Sequence, residues 1–179
     1  LPQTTNEPIV VSMSHHDHKT KAPASVRVGL LTVSDTRTAD NDESGRTMRE
    51  LCERRGHAVV GQRIVCDEAT PIVAAVSEFV AARAEAVLVT GGTGLAARDV
   101  TIEALEPLFD KRIEGFGELF RAASFRAIGS AAMLSRAVAG VHRGVVVFVM
   151  PGSPAAVKSA MEDLILPELA HAVSIARQR

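Results

Sequence analysis

The chain has 179 residues, enough for one domain with a sizeable core. Apolar residues make up 46% and charged residues 23%, the balance of a folded globular protein and not of a fibrous or disordered one. A formal net charge of −1 with no Trp or Tyr leaves neither a basic footprint nor a stacking platform for nucleic acid, and no electrostatic reason to bind a membrane surface.

Residues 1–25 are polar, dotted with proline and without apolar periodicity, and read as a disordered tail ahead of one domain over 26–179. Met13 is a candidate natural start. His15, His16, Asp17 and His18 are metal-ligand types, but a tail offers no outer shell to orient them. The apolar run over 26–33 predicts a central strand. A polar loop follows, and its acidic stretch 40–43 reads as a solvated charge cluster that could also fold over a pocket.

Met48, Leu51 and Cys52 share one face of a helix expected over 45–55, which Gly56 stops. A strand is expected over 58–65. Ile72, Val73, Val76, Phe79 and Val80 recur at helical spacing over 69–84. The run AVLVT at 86–90 predicts a buried strand, and helices are expected over 99–109 and 116–128. Strands over 136–139 and 145–149 flank a turn at His142-Arg143-Gly144. The last helix begins after the N-cap Ser153, takes Pro154 as its first residue, and is kinked by Pro167 on its way to the end of the chain.

Strands alternating with helices predict a three-layer α/β domain, αβα, with a mostly parallel sheet. The longest dense apolar run, 145–150, falls far short of the ~20 residues a membrane-spanning helix needs. With no basic-then-apolar signal pattern, a cytoplasmic location is expected. Cys52 and Cys66 lack any zinc spacing and read as reduced thiols.

Open α/β sheets bind ligands at the carboxyl ends of their strands, and polar residues collect there. The first strand ends in Ser34-Asp35, which could contact a ligand or close a turn. The second ends in Asp67-Glu68. The third ends in Thr90-Gly91-Gly92-Thr93-Gly94, followed five residues later by Asp99. Glycines there let backbone N–H groups approach an anion, and the threonines add hydroxyl donors. The last strand ends in Pro151-Gly152-Ser153-Pro154, a strand-to-helix turn whose helix terminus would suit a phosphate. Asp67 and Asp99 could together hold Mg²⁺ against phosphate oxygens, or be a turn residue and an N-cap.

Other motifs fail. Gly92-x-Gly94-x-x-Ala97 follows the third strand and lacks a ribose-binding acid about 20 residues on, unlike a dinucleotide fingerprint. No Gly-Lys-Ser/Thr P-loop occurs. Asp40-x-Asp42-x-Ser44-Gly45 opens like a calcium loop, but its twelfth position is Leu51.

Five segments in order resemble the molybdenum-cofactor biosynthesis family of small MogA/MoaB-type proteins. They are the start from Gly29 to Asp35, the Thr-Gly-Gly-Thr-Gly loop with its Asp99, Gly115-Phe-Gly-Glu-Leu-Phe120, Met133-Leu-Ser135-Arg136-Ala137, and Met150-Pro-Gly-Ser-Pro154. The resemblance runs from Val26 to the end of the chain. It implies a protein that binds molybdopterin and adenylates it with ATP and Mg²⁺, with Asp67 and Asp99 as the catalytic, metal-holding carboxylates. The alternative it leaves is a pterin-binding paralogue that does not adenylate. By the same resemblance Ser34, Asp35, Thr90, Gly91, Gly92, Thr93, Gly94, Glu118, Ser135, Pro151, Gly152 and Ser153 bind substrate. The family also implies a homo-oligomer, a trimer or dimer of trimers, and contacts with other proteins of the cofactor pathway.

Overall fold

A computed structural model describes residues 23–178. The expectations for residues 1–22, including Met13 and the histidine cluster, lie outside the described residues.

The first half contains β1 (Arg27–Val33), α1 (Glu43–Arg54), β2 (Ala58–Val65), α2 (Ala69–Ala81), β3 (Ala86–Thr90) and α3 (Thr101–Leu105). The second half contains β4 (Lys111–Arg112), α4 (Glu114–Ile128), β5 (Val138–His142), β6 (Val145–Met150), α5 (Pro154–Ser159) and α6 (Leu166–Ala176). The strands form one sheet in the order β2-β1-β3-β6-β5-β4. The first four run parallel, while β5 and β4 add antiparallel at one edge.

Side-chain alternation along the strands splits the core in two. Leu30, Leu88 and Phe148 face α1, α4 and α6, where they meet Met48, Phe120 and Leu169. Their neighbours Leu31, Val89 and Val147 face α2 and α3, where they meet Ile72, Phe79 and Leu105. Every residue of β3 is buried, which is why that strand reads as an unbroken apolar run. The outcome is the expected three-layer α/β fold with a mostly parallel sheet.

Several boundaries differ from the sequence reading, each for a local reason. α1 begins at Glu43 because Asp42 caps it, its Oδ1 accepting from the Gly45 N–H at 2.9 Å. Asp42 is only 3% exposed and also accepts from the Thr32 hydroxyl at 2.7 Å, so the acidic stretch is not simply a solvated cluster. The helix expected over 99–109 shrinks to the five residues of α3 and a 3₁₀ turn, Glu106–Leu108. Pro107 cannot donate to the preceding turn.

The hairpin turn lies at Arg143-Gly144, both at positive φ as a two-residue type I′ connection requires, and β5 extends to His142. The two-residue β4 and the 3₁₀ segment Gly129–Leu134 are too short to show periodicity. Between α5 and α6 the final helix widens into a π segment, Ala160–Ile165, just before Pro167. Wider turns of this kind absorb the missing N–H and the ring. Among the described residues, no helix is long and apolar enough to cross a membrane.

Candidate functional site

β1 and β3 are neighbours, but the chain leaves β1 for β2 on the opposite side. That reversal opens a crevice at the carboxyl ends of the parallel strands. The glycines fill it with backbone. Gly91 has φ +95°, and a Cβ there would lie 2.1 Å from the Val33 carbonyl oxygen. Its N–H donates to the Met150 carbonyl at 3.1 Å, tying the ends of β3 and β6 together. Gly92 has φ +60°, and a Cβ there would lie 2.2 Å from both Asp67 Oδ1 and Thr101 Oγ1.

Those two oxygens therefore flank one point of the loop, and both are buried without a hydrogen-bond partner among the described residues. The N–H groups of Gly92, Thr93 and Gly94 likewise meet no acceptor there. Consecutive free N–H groups in a positive-φ turn make an anion nest.

The loop opens on a cleft of about 330 Å³ lined by Gly91, Gly92, Thr93, Gly94, Asp99, Leu134, Ser135, Arg136, Pro151 and Gly152. A smaller cavity of about 70 Å³ shares Gly91 and Gly152 with it and adds Thr32, Val33, Ser34, Arg37, Asp42, Ser44 and Thr90. The Ser44 hydroxyl donates to the Gly152 carbonyl at 2.8 Å and fixes the wall between the two.

The sequence candidates divide accordingly. Thr93, Gly94, Asp99, Ser135, Pro151 and Gly152 come together with Gly91 and Gly92 around the cleft. Ser34 lines the side cavity, where its Oγ accepts from the Thr36 and Arg37 N–H groups. Thr90 is buried, and its hydroxyl donates to the Pro151 carbonyl at 2.9 Å. It braces the wall and offers no donor to the cleft.

Asp35 is exposed and accepts from the Asp67 N–H at 3.0 Å, which sets Asp67 in place. Ser153 caps α5 as expected, its Oγ accepting from the Ala156 N–H at 3.3 Å. Glu118 is exposed on α4 and lines neither cavity within the single chain. Asp99 is not a helix cap: its Oδ2 accepts from the Ala96 N–H at 3.1 Å, and Val100 occupies the cap position.

Burial raises Asp67 above the usual carboxylate range, the charges of Asp99 and Asp35 push it further, and Arg98 partly opposes them. A desolvated carboxylate facing two others is an environment a cation would relieve. Among the described residues no group of three or more His, Cys, Asp or Glu forms a ready-made metal cage. Asp67 and Asp99 are the carboxylates that could hold a cation such as Mg²⁺, which commonly takes only one or two protein carboxylates.

Arg136 enters the sequence reading only as part of the Met133–Ala137 segment, with no role of its own. The Arg136 guanidinium donates to the carbonyls of Thr93 at 2.9 Å and Gly94 at 2.8 Å, and pairs with Glu103. It pins the loop through its carbonyls, and no local pattern announces partners some forty residues away. Asp42 carried a readable signal: an aspartate three residues ahead of Gly45, at the helix entry, is a preferred N-cap.

Residues 29–171 match the family described as "Probable molybdopterin binding domain". The chain belongs to this family. It is 50% identical over 163 residues to molybdenum cofactor biosynthesis protein B of Bacillus subtilis, covering 90% of this chain and 96% of that one. A crystal structure of a molybdenum cofactor biosynthesis protein B superposes with a TM-score of 0.85 at 48% identity, covering 89% of this chain and all of the other. The tungsten cofactor synthesizing protein MoaB of Pyrococcus furiosus gives a TM-score of 0.81 at 41% identity, with 88% and 100% covered. As a member of the molybdopterin-binding family, the chain shares with these relatives the fold that frames the glycine cleft.

Proposed function

We propose that the chain acts in molybdenum cofactor biosynthesis, binding molybdopterin in the glycine cleft and adenylating it with ATP. The supporting observation is the conjunction of three free N–H groups at Gly92–Gly94 with the partnerless carboxylate oxygen of Asp67 and with Asp99 beside them. The N–H groups would hold phosphate oxygens. Arg136 keeps them aligned, and Pro151 and Gly152 form the opposite wall. The terminal phosphate of the pterin would attack the α-phosphorus of ATP. One phosphorus–oxygen bond forms, the bond to the β-phosphate oxygen breaks, and pyrophosphate leaves.

Asp67 and Asp99 are the residues that would hold Mg²⁺, which supplies charge neutralisation on the phosphates. No enzyme nucleophile is required, because the substrate phosphate serves, and the protein's part is positioning and electrostatic stabilisation. A cytoplasmic location accords with such a role.

We also infer a homo-oligomer, a trimer or a dimer of trimers. Leu119, Phe125 and Ile128 of α4 and Met133 and Leu134 just after it are large apolar side chains left exposed in the single chain. Leu134 reaches the cleft itself. A run of apolar groups of this kind marks an interaction surface.

The deciding experiment incubates the protein with molybdopterin, ATP and Mg²⁺ and follows adenylylated pterin and pyrophosphate. Formation of both supports the reading. Pterin binding without adenylation identifies the non-adenylating paralogue instead.

A further inference from the structure

At the amino-terminal edge of the sheet, opposite the glycine cleft, four arginines surround one open cavity of about 570 Å³. Arg27 begins β1, Arg83 follows α2, Arg143 sits in the β5–β6 turn, and Arg177 follows α6. Val80 and Val145 give the cavity an apolar floor. Glu85 pairs with both Arg27 and Arg177. Asp110 engages only the backbone N–H of Arg143, at 2.6 Å. Among the described residues the guanidiniums of Arg83 and Arg143 have no hydrogen bond or ion pair.

The backbone under these two side chains is the telling feature. Among the described residues, Arg83 at φ +60° and Arg143 at φ +51° are the only non-glycine residues at positive φ. Each stands where folding alone favours glycine or asparagine. One follows a helix end and the other opens a two-residue hairpin turn. The same fold uses glycine after α1, where Gly56 takes φ +79°. A long cationic side chain in a left-handed conformation is unfavourable at either position. That both line the same cavity, beside two further arginines, gives them a shared purpose.

We propose that this edge is a second binding site, for a polyphosphate anion of up to nucleotide size. Guanidinium forks match phosphate oxygens two at a time. The cavity falls within the roughly 300–1,000 Å³ of small-molecule sites. The proposal does not rest on the adenylation reading, since it involves none of the glycine-cleft residues.

The test titrates inorganic tripolyphosphate into the full chain by calorimetry, at fixed ionic strength and with a chelator to exclude divalent cations. A parallel arm with ATP, read as the difference between the unaltered protein and Arg83→Gly/Arg143→Asn so that binding at the glycine cleft cancels, separates recognition of the phosphate chain alone from added recognition of the nucleoside. A binding step should be present in the unaltered protein and in Asp67→Asn/Asp99→Asn, and weaken at least tenfold in Arg83→Gly/Arg143→Asn. The same arginine double variant, without anion, should melt at a higher temperature than the unaltered protein, because both turns are relieved. Arg54→Ala/Arg126→Ala, which removes as much charge from elsewhere, should leave the isotherm unchanged.

Coincident isotherms for the unaltered protein and the Arg83/Arg143 variant would overturn the proposal. So would no saturable step up to millimolar tripolyphosphate, an equal loss in the Arg54/Arg126 control, or a lowered melting temperature, which would make the two arginines structural. Binding of an acidic peptide but not of tripolyphosphate would reject it in favour of a protein partner.

Discussion

Asp67 Oδ1 occupies space that the side chain of almost any residue at 92 would need, 2.2 Å from where a Cβ on Gly92 would stand. The neighbouring Gly91 is tighter in a different way, because its obstacle is the Val33 carbonyl, which belongs to β1 and cannot turn aside. Gly92→Ala should push Asp67 and Thr101 apart and reduce ligand binding while the fold survives. Both variants pay the left-handed backbone cost of about 1–2 kcal/mol, but Gly91→Ala should cost more stability, since its clash is with main chain and not with side chains that can move. Thermal melts of the two variants check this ordering. Melting temperatures equal to the unaltered protein's would show that the loop is slack.

Arg136 makes a different claim. Its guanidinium bonds two loop carbonyls and an acid at once, and it holds Glu103 below the usual carboxylate range by direct hydrogen bonding. Lysine keeps the charge but cannot bridge three acceptors in one plane. Arg136→Lys should therefore weaken pterin binding about tenfold, with at most a small change in melting temperature. Glu103→Gln should do much less, because Glu103 is largely exposed and its pair with Arg136 is screened. Fluorescence or calorimetric titration with pterin separates the two. Equal effects would mean that the ion pair, and not the carbonyl contacts, positions the loop.

Much of this was legible in the chain. β3 and β6 announce themselves because parallel strands covered on both faces become apolar runs, and α2 because Ile72, Val76 and Phe79 repeat at helical spacing. The glycine loop was legible as a loop. What it touches was not. Asp42 reads as one more acid in a polar stretch until its contact with Thr32 on β1 is seen, and Arg136 reaches carbonyls far away in sequence. Asp99 was ambiguous because an aspartate ahead of a helical pattern looks like a cap, and only the bond to Ala96 shows the chain turning back before the helix starts. Glu118 is the opposite case, a residue named by resemblance that the single chain leaves outside the cleft.

The exposed apolar side chains of α4 and the 3₁₀ segment after it give the oligomer reading a direct check. Met133 is 78% exposed and Phe125 61%, costly positions in a lone subunit. Sedimentation at micromolar concentration should show a trimer or its double. Phe125→Glu with Met133→Glu should shift it to monomer without unfolding, since both side chains lie outside the core. An unaltered protein that sediments as a monomer would leave this surface without a partner copy.

His57 provides a pH dependence. The backbone N–H of Val26 donates to its Nδ1 at 3.3 Å, which requires a neutral ring. Burial, with the charge of Arg55 adding to it, holds its pKa below the ordinary 6.5. The folded state thus resists a proton that the unfolded chain accepts, so the contribution is complete above about pH 6.5 and is lost as pH falls from there through the folded value. The unaltered protein should lose melting temperature in that window. His57→Asn, whose carbonyl can still accept from Val26, should lose less. Parallel curves for the two proteins would assign the acid sensitivity elsewhere.

The sharpest test sets stability against activity at Asp67 and Asp99. Ionised Asp67 is partly desolvated and faces Asp99 and Asp35, and its pKa in the fold is raised above that of the unfolded chain. Ionisation therefore opposes folding at neutral pH, and the penalty fades as pH falls through the raised value. Asp67→Asn removes that charge and supplies an amide donor beside the partnerless hydroxyl of Thr101. In metal-free buffer it should melt higher than the unaltered protein, a gain of the kind often traded against function. If the two carboxylates serve Mg²⁺ and adenylyl transfer, Asp67→Asn and Asp99→Asn should still bind pterin yet lose most adenylation. A loss of roughly 3 kcal/mol of transition-state stabilisation slows the reaction by about two orders of magnitude. Added Mg²⁺ should raise the melting temperature of the unaltered protein and leave Asp67→Asn unmoved, a readout independent of turnover. Full adenylation by both variants would refute the metal role. A Mg²⁺ response that survives in Asp67→Asn would move the cation to other ligands.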